Sequence, residues 1–147
     1  MELSCKTEYI LLALIELASS YHSGQPLQAR AIASRQQIPD RYLEQLLAML
    51  RRSGFVNSQR GVKGGYLLAR SPQEITLLEI FCQTEGFEQP TPTETETNCA
   101  KTMECLAVQE VWTEARQAAI AILSRYTLKD LLEKRDLKQQ MGLMYYI

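Results

Sequence analysis

Two cysteines stand six positions apart in the stretch Asn98-Cys99-Ala100-Lys101-Thr102-Met103-Glu104-Cys105. Thiols spaced this way can ligate an iron-sulfur cluster, close reversibly into a disulfide, or do neither. Zinc is disfavoured, since Cys-x5-Cys alone is not a zinc-knuckle spacing. Cys5 and Cys82 complete the cysteine inventory. An expected cytoplasmic location argues against a disulfide framework. Cys82 lies in an apolar stretch and reads as a small buried hydrophobe. His22, the single histidine, adjoins Ser23-Gly24 and reads as a surface residue. The chain carries no Walker loop, no Gly-x-Ser-x-Gly and no His-Glu-x-x-His, and Lys63-Gly64-Gly65 lacks the following Ser or Thr of a phosphate loop. An enzyme is therefore not expected.

The second chemical resource is charge. Net charge is −1 over 147 residues, but residues 28–70 hold eight basic side chains against Asp40 and Glu44, a balance of +6. Residues 71–110 hold eight glutamates against Lys101, a balance of −7. One cationic module is thus concealed in a near-neutral total, and a local positive field is what polyanion binding requires.

The elements that must position these groups follow from periodicity. Ser4 is a suitable N-cap for a helix over 5–20, and Ser23-Gly24-Gln25-Pro26 breaks it. A short helix over 28–36 precedes Pro39-Asp40, which opens another with Leu43, Leu46, Leu47 and Leu50 on one face, stopped at Ser53-Gly54. The period then becomes two on either side of Arg60-Gly61-Val62-Lys63-Gly64-Gly65, which predicts a β-hairpin with a basic, glycine-rich tip. The fold expected is mainly α with a small β-hairpin wing, a winged helix-turn-helix domain joined to a long dimerisation helix. Its parts are the winged domain over 1–85, with the helix-turn-helix at 28–53 and the wing at 55–69, a cysteine-bearing loop at 86–104, and the dimerisation helix and tail at 105–147. Ile75 to Gln83 predicts one more short helix, residues 89–98 a mobile loop, and Thr127 with Asp130 a capped short helix to about Lys134, with a frayed or draped tail beyond Gln139. The apolar run from Tyr9 to Ile15 is far shorter than the roughly 20 residues a membrane helix needs, so no membrane association is expected.

In a helix-turn-helix the second helix enters the major groove of duplex DNA and the wing meets the backbone or minor groove. Arg41, Glu44 and Gln45 lie outside the leucine face, and Arg41 and Gln45 suit base edges. Arg51 and Arg52 lie later and suit phosphates, while Arg60 and Lys63 on the wing suit a narrow minor groove. One such helix reads only a few base pairs, so a homodimer is expected. Val108, Trp112, Ala115, Ala119, Ile122 and Tyr126 form a seam at helical spacing that could supply its interface, or could equally be buried within one chain.

Leu3-Ser4 with Lys6 and Tyr9, Tyr42-Leu43-Glu44-Gln45-Leu46, Arg60-Gly61-Val62-Lys63-Gly64-Gly65-Tyr66-Leu67-Leu68, Cys105-Leu106 ahead of Trp112, and Thr127-Leu128-Lys129-Asp130-Leu131 together resemble the IscR and NsrR family of bacterial winged-helix regulators, the Rrf-two superfamily. The resemblance spans nearly the whole chain. It implies a homodimeric transcription regulator whose long helices cross at the dimer interface, and DNA-reading roles for Glu44, Gln45 and Arg60. It also implies a sensor cluster, by analogy a 2Fe-2S centre, with Cys99 and Cys105 as ligands and Glu8 as a third donated from the first helix of the partner subunit. A further family cysteine would fall near Thr93 and a family histidine on Val108, so the fourth ligand is unassigned. Cys5, one turn from Glu8, could approach the same site. A cluster-free dithiol switch at Cys99 and Cys105, or regulation by a protein partner, stand beside this reading.

Overall fold

A computed structural model describes residues 2–86 and 102–145. Helix α1 spans Cys5–Ser19, α2 Ala29–Gln36 and α3 Asp40–Arg52; strands β1 (Val56–Gln59) and β2 (Gly65–Leu68) form the hairpin; α4 covers Leu77–Glu85, α5 Met103–Arg125 and α6 Leu128–Tyr145. The mainly helical architecture with a two-stranded antiparallel wing is the fold expected.

Local chemistry explains the boundaries. The Ser4 hydroxyl accepts from the Thr7 amide at 3.2 Å and starts α1. Pro39 precedes the first turn of α3, where Asp40 meets the positive end of the helix dipole, and Arg51 and Arg52 meet the negative end. The core is built on the apolar face of α1 (Ile10, Ala13, Leu14 and Leu17), packed with Ile32 of α2 and Leu43, Leu46, Leu47 and Leu50 of α3. Each such leucine contributes about 2 kcal/mol by leaving water. Phe55, Val56 and Leu68 bring the hairpin root into the same core, and Ile75 and Ile80 bring α4.

Leu128, the first residue of α6, is fully buried in that core. Its position is set by an antiparallel bridge in which Leu77 N donates to Tyr126 O at 2.9 Å and Leu128 N donates to Ile75 O at 3.0 Å. Two helix starts thus lie side by side, and each is capped reciprocally: Thr76 with Glu79, and Thr127 with Asp130. The Thr127 amide and hydroxyl hold the Asp130 carboxyl below its ordinary value.

Three expectations are corrected. The fourth helix starts at Leu77 rather than Ile75, because Ile75 and Thr76 are extended in the bridge. The fifth starts at Met103, two residues before Cys105, because the Thr102 hydroxyl caps it by accepting from Cys105 N at 3.2 Å. The last helix runs on to Tyr145 rather than ending near Lys134. Leu131 and Leu132 anchor its first half against the core, and the run from Arg135 to Met141 holds no glycine or proline, so the helix continues through Gly142 to Tyr145. The loop expected at 89–98 lies outside the described residues.

The N-terminus of α1 is tied to the C-terminus of α4. Ser4 Oγ and Thr7 Oγ1 donate to the Glu85 carboxylate, and the fully buried Thr7 also reaches Thr84 Oγ1 at 3.0 Å. These hydrogen bonds hold the Glu85 carboxyl below its ordinary range. Its stabilising contribution is complete above the ordinary glutamate pKa of about 4.3 and is lost as pH falls through the depressed value. Glu85→Gln should therefore lower the melting temperature at neutral pH and flatten its fall on acidification; melting curves whose pH dependence parallels wild type would contradict this role.

Candidate nucleic-acid interface

Burial of Leu43, Leu46, Leu47 and Leu50 fixes the rotation of α3. On a helix of 3.6 residues per turn, Arg41, Gln45 and Arg52 then form one stripe pointing directly away from the core. All three are exposed. The stripe rises about 16 Å along the axis. Glu44 and Arg51 flank it, and Arg51 Nη1 donates to Ser58 Oγ of β1 at 3.3 Å, joining the end of α3 to the wing.

The wing is docked as well as formed. Its register pairs Val56 with Leu68 and Gln59 with Gly65. Tyr66 then exchanges two hydrogen bonds with Leu27, at 2.7 and 3.0 Å, so the residue ahead of α2 acts as a third strand. This close approach requires Gly65: a Cβ there would stand 2.4 Å from Leu27 O. Gly64 is equally confined, its absent Cβ falling 2.3 Å from Gln59 O. Arg60 and Lys63 emerge exposed beside Val62, which is 96% exposed at the tip.

The cations of residues 28–70 separate into two groups. Arg35 pairs with Glu16 at 3.3 Å. Arg70 pairs with Glu79 at 3.3 Å while its guanidinium lies 5.7 Å from the Phe55 ring centre, so it braces the wing root against α4. Among the described residues, Arg41, Arg52, Arg60 and Lys63 enter no ion pair. The bracing by Arg70, the Leu27 bridge and the apolar tip at Val62 were missed in the sequence, although the glycine pair after Lys63 hinted at a close backbone approach. The α1 helix also supports α3 directly: Tyr9 and Tyr42 meet edge to face with ring centres 5.9 Å apart. A side-chain hydrogen bond with Cys5 raises the Tyr9 hydroxyl above its ordinary value.

Of the expected metal donors, Glu8, Cys5 and Cys105 fall among the described residues. Cys99 lies outside the described residues. Cys105, in the first turn of α5, is disulfide-bonded, whereas Cys5 and Cys82 are thiols outside any disulfide. Burial pushes the Cys82 thiol up, with Arg116 opposing. Glu8 and Cys5 are exposed on α1, and among the described residues no three His, Cys, Asp or Glu side chains could hold a metal ion. A cluster needs several thiolate or imidazole donors, and a disulfide sulfur is not one. The described residues of one chain therefore do not by themselves supply the donors of a cluster.

Of the seam residues, Val108, Trp112, Ala115 and Ile122 are exposed and Ala119 is half-buried. Helix α5 has no buried residue, and Val108, Trp112 and Ile122 are 70, 74 and 48% exposed. Tyr126 instead caps the helix at the hinge to α6, its ring half-buried and 5.5 Å from Lys134 Nζ.

A winged helix-turn-helix with a cationic outward stripe defines the class of transcription regulators. Residues 3–134 match the Rrf2 family, described as an iron-dependent transcriptional regulator, and the chain belongs to that family. It is 35% identical to the regulator CymR of Bacillus subtilis over 147 residues, covering 100% of both chains. The solved structure of that protein, a global cysteine regulator, superimposes with a TM-score of 0.74 over 91% of this chain and 98% of that one, at 33% identity. IscR of T. potens gives a TM-score of 0.76 at 30% identity, covering 95% and 91%. The oxidized form of Staphylococcus aureus CymR gives 0.70 at 34%, covering 90% and 97%. No helix among the described residues is long and apolar enough to cross a membrane.

Gly65→Ala should detach the wing from Leu27, with a stability loss of about 1–3 kcal/mol in denaturant unfolding. Gly142→Ala, where no atom lies within 4 Å of the added methyl, should be neutral or stabilising; equal losses at both positions would refute the close-approach account.

Proposed function

We propose that this transcriptional regulator acts as a homodimer that binds specific duplex DNA, with α3 in the major groove and the wing on the adjacent backbone and minor groove. The observation that carries this is the sorting of cations: those on the outward face of α3 and at the wing tip are unpaired, whereas Arg35 and Arg70 are tied to structural partners. Arg41 and Gln45, with Glu44 beside them, address base edges; Arg51 and Arg52 hold phosphates; Arg60 and Lys63 enter the minor groove with Val62 as an apolar wedge. Two copies would present two reading heads to half-sites about one helical turn, ~34 Å, apart. The work of such a protein is cytoplasmic.

The signal enters through the cysteine-bearing segment ahead of α5. A dithiol switch at Cys99 and Cys105 is favoured by the disulfide at Cys105 and by the likeness to a CymR solved in an oxidized form. Two thiols would lose two protons and two electrons to an oxidised low-molecular-weight disulfide, which leaves as two thiols. The second reading, a 2Fe-2S cluster held by Cys99, Cys105 and the partner subunit's Glu8, is favoured by the iron-dependent description of the family and the likeness to IscR.

Band-shift titrations separate reading from anchoring. Gln45→Ala should cost about 1–3 kcal/mol on the preferred site and little on random duplex, whereas Lys63→Ala should weaken both and reduce the salt slope by about one; failure of the wild type to bind any promoter fragment at low salt would end the proposal. Purification without oxygen decides the signal. The dithiol reading expects colourless protein whose DNA affinity changes reversibly with thiol redox poise and no longer does so in Cys105→Ser; visible absorption with bound iron and sulfide, lost in Cys105→Ser, would instead establish the cluster.

A further inference from the structure

Helix α5 carries Cys105 in its first turn, and among the described residues it packs chiefly on α4. The two helices meet where α4 ends: Phe81 and Glu85 share one groove with Ala115 and Ala119, and Arg116 acts on the Cys82 thiol. Helix α4 is therefore the element placed to pass on a change in α5. Its last turn also grips the winged domain. Three consecutive residues, Gln83, Thr84 and Glu85, each meet a side chain of another element.

Gln83 faces the end of the reading helix. Ser53, the C-cap of α3 directly after Arg51 and Arg52, donates through Oγ to Gln83 Oε1 at 3.4 Å. Thr84 and Glu85 face the start of α1 instead. The Glu85 carboxylate accepts from Ser4 Oγ and Thr7 Oγ1 at the positive end of that helix, and Thr84 Oγ1 lies 3.0 Å from Thr7 Oγ1. Two residues beyond Thr7, Tyr9 makes its edge-to-face contact with Tyr42, the neighbour of Arg41. The last turn of α4 thus reaches both ends of α3, the far end directly and the near end through α1.

We propose that Gln83, Thr84 and Glu85 form the coupling element that tilts the reading helix according to the chemical state of Cys105. This rests on the reading that the signal enters at Cys105, and it assigns the connection from there to DNA. The buried leucines of α3 are close-packed and resist gradual deformation, so they do not transmit a small shift by themselves. Polar contacts at the rim of a core can change partners without opening it, and coupling between distant sites runs through such networks. Ile80, the buried residue of α4, lies a turn before the grip, so the last turn can move about a fixed point. With one contact at each end of α3, such a movement displaces Arg41 and Gln45 relative to Arg51 and Arg52. Base edges and phosphates are then no longer met together.

The test measures the affinity of full-length protein for a promoter duplex in the two states that anaerobic purification identifies, thiol and disulfide or cluster-loaded and stripped. In the wild type the two dissociation constants should differ about ten-fold or more. Gln83→Ala, which removes an exposed side chain, should leave the tighter constant unchanged and shrink that ratio by about three-fold or more. Glu85→Ala should shrink it likewise, and the double variant should bind alike in both states while its Cys105 chemistry, followed by thiol count or visible absorption, matches wild type. A purely structural role would lower both affinities by one factor and keep the ratio. That result, or variants with the full wild-type response, would overturn the coupling assignment and leave the signal at Cys105 standing. A wild type that binds DNA equally in both states would overturn Cys105 as the point of entry, and the coupling assignment with it.

Discussion

The leucine face of α3 must leave water, and the rest of the interface depends on how that face is satisfied. Leu43, Leu46, Leu47 and Leu50 are buried against α1 and α2, which removes rotational freedom from the helix. Arg41, Gln45 and Arg52 have no choice but to face outward, because they lie opposite the leucines in the same period. The apolar core thus aims the polar reading surface without touching it.

The wing is held to the same standard of position by different means. A two-stranded hairpin alone is marginally stable in water. Here it gains a third strand residue at Leu27, a buried root at Phe55, Val56 and Leu68, and a brace from Arg70 to Glu79. Glycine at 65 is the condition for the first of these, since a Cβ there would stand 2.4 Å from Leu27 O, and glycine at 64 is required by the hairpin turn itself, where a Cβ would stand 2.3 Å from Gln59 O. Among the described residues the tip cations Arg60 and Lys63 enter no ion pair, so their charge is available to a polyanion while the base of the wing is fixed relative to α3.

The second half of the molecule reverses this economy. Among the described residues helix α5 packs chiefly on α4, and the chain enters the core at Leu128 through a backbone bridge with Ile75 and Leu77. Both ends of the excursion are anchored, Thr102 and Thr127 capping the helices that begin there. Between them lies an apolar stripe that the described residues leave exposed. An apolar stripe so exposed is the kind of surface that marks an interaction site. Because Cys105 sits in the first turn of α5, chemistry at that sulfur acts on the entry to this helix.

Periodicity and punctuation in the sequence determined the helix-turn-helix, the hairpin, the caps at Ser4 and Thr127, and the candidate reading residues, because these depend on neighbours within a few positions. The extent of α6 was not legible, since Leu137, Met141 and Met144 are exposed and a polar-apolar mixture without a packing face carries little signal. Which cations are free, how Tyr66 meets Leu27, how Glu85 joins α1 to α4, and whether the seam of α5 is inside or outside were decided by tertiary structure alone. Each of these is a contact between residues distant in the chain, and only packing of the core brings such residues together.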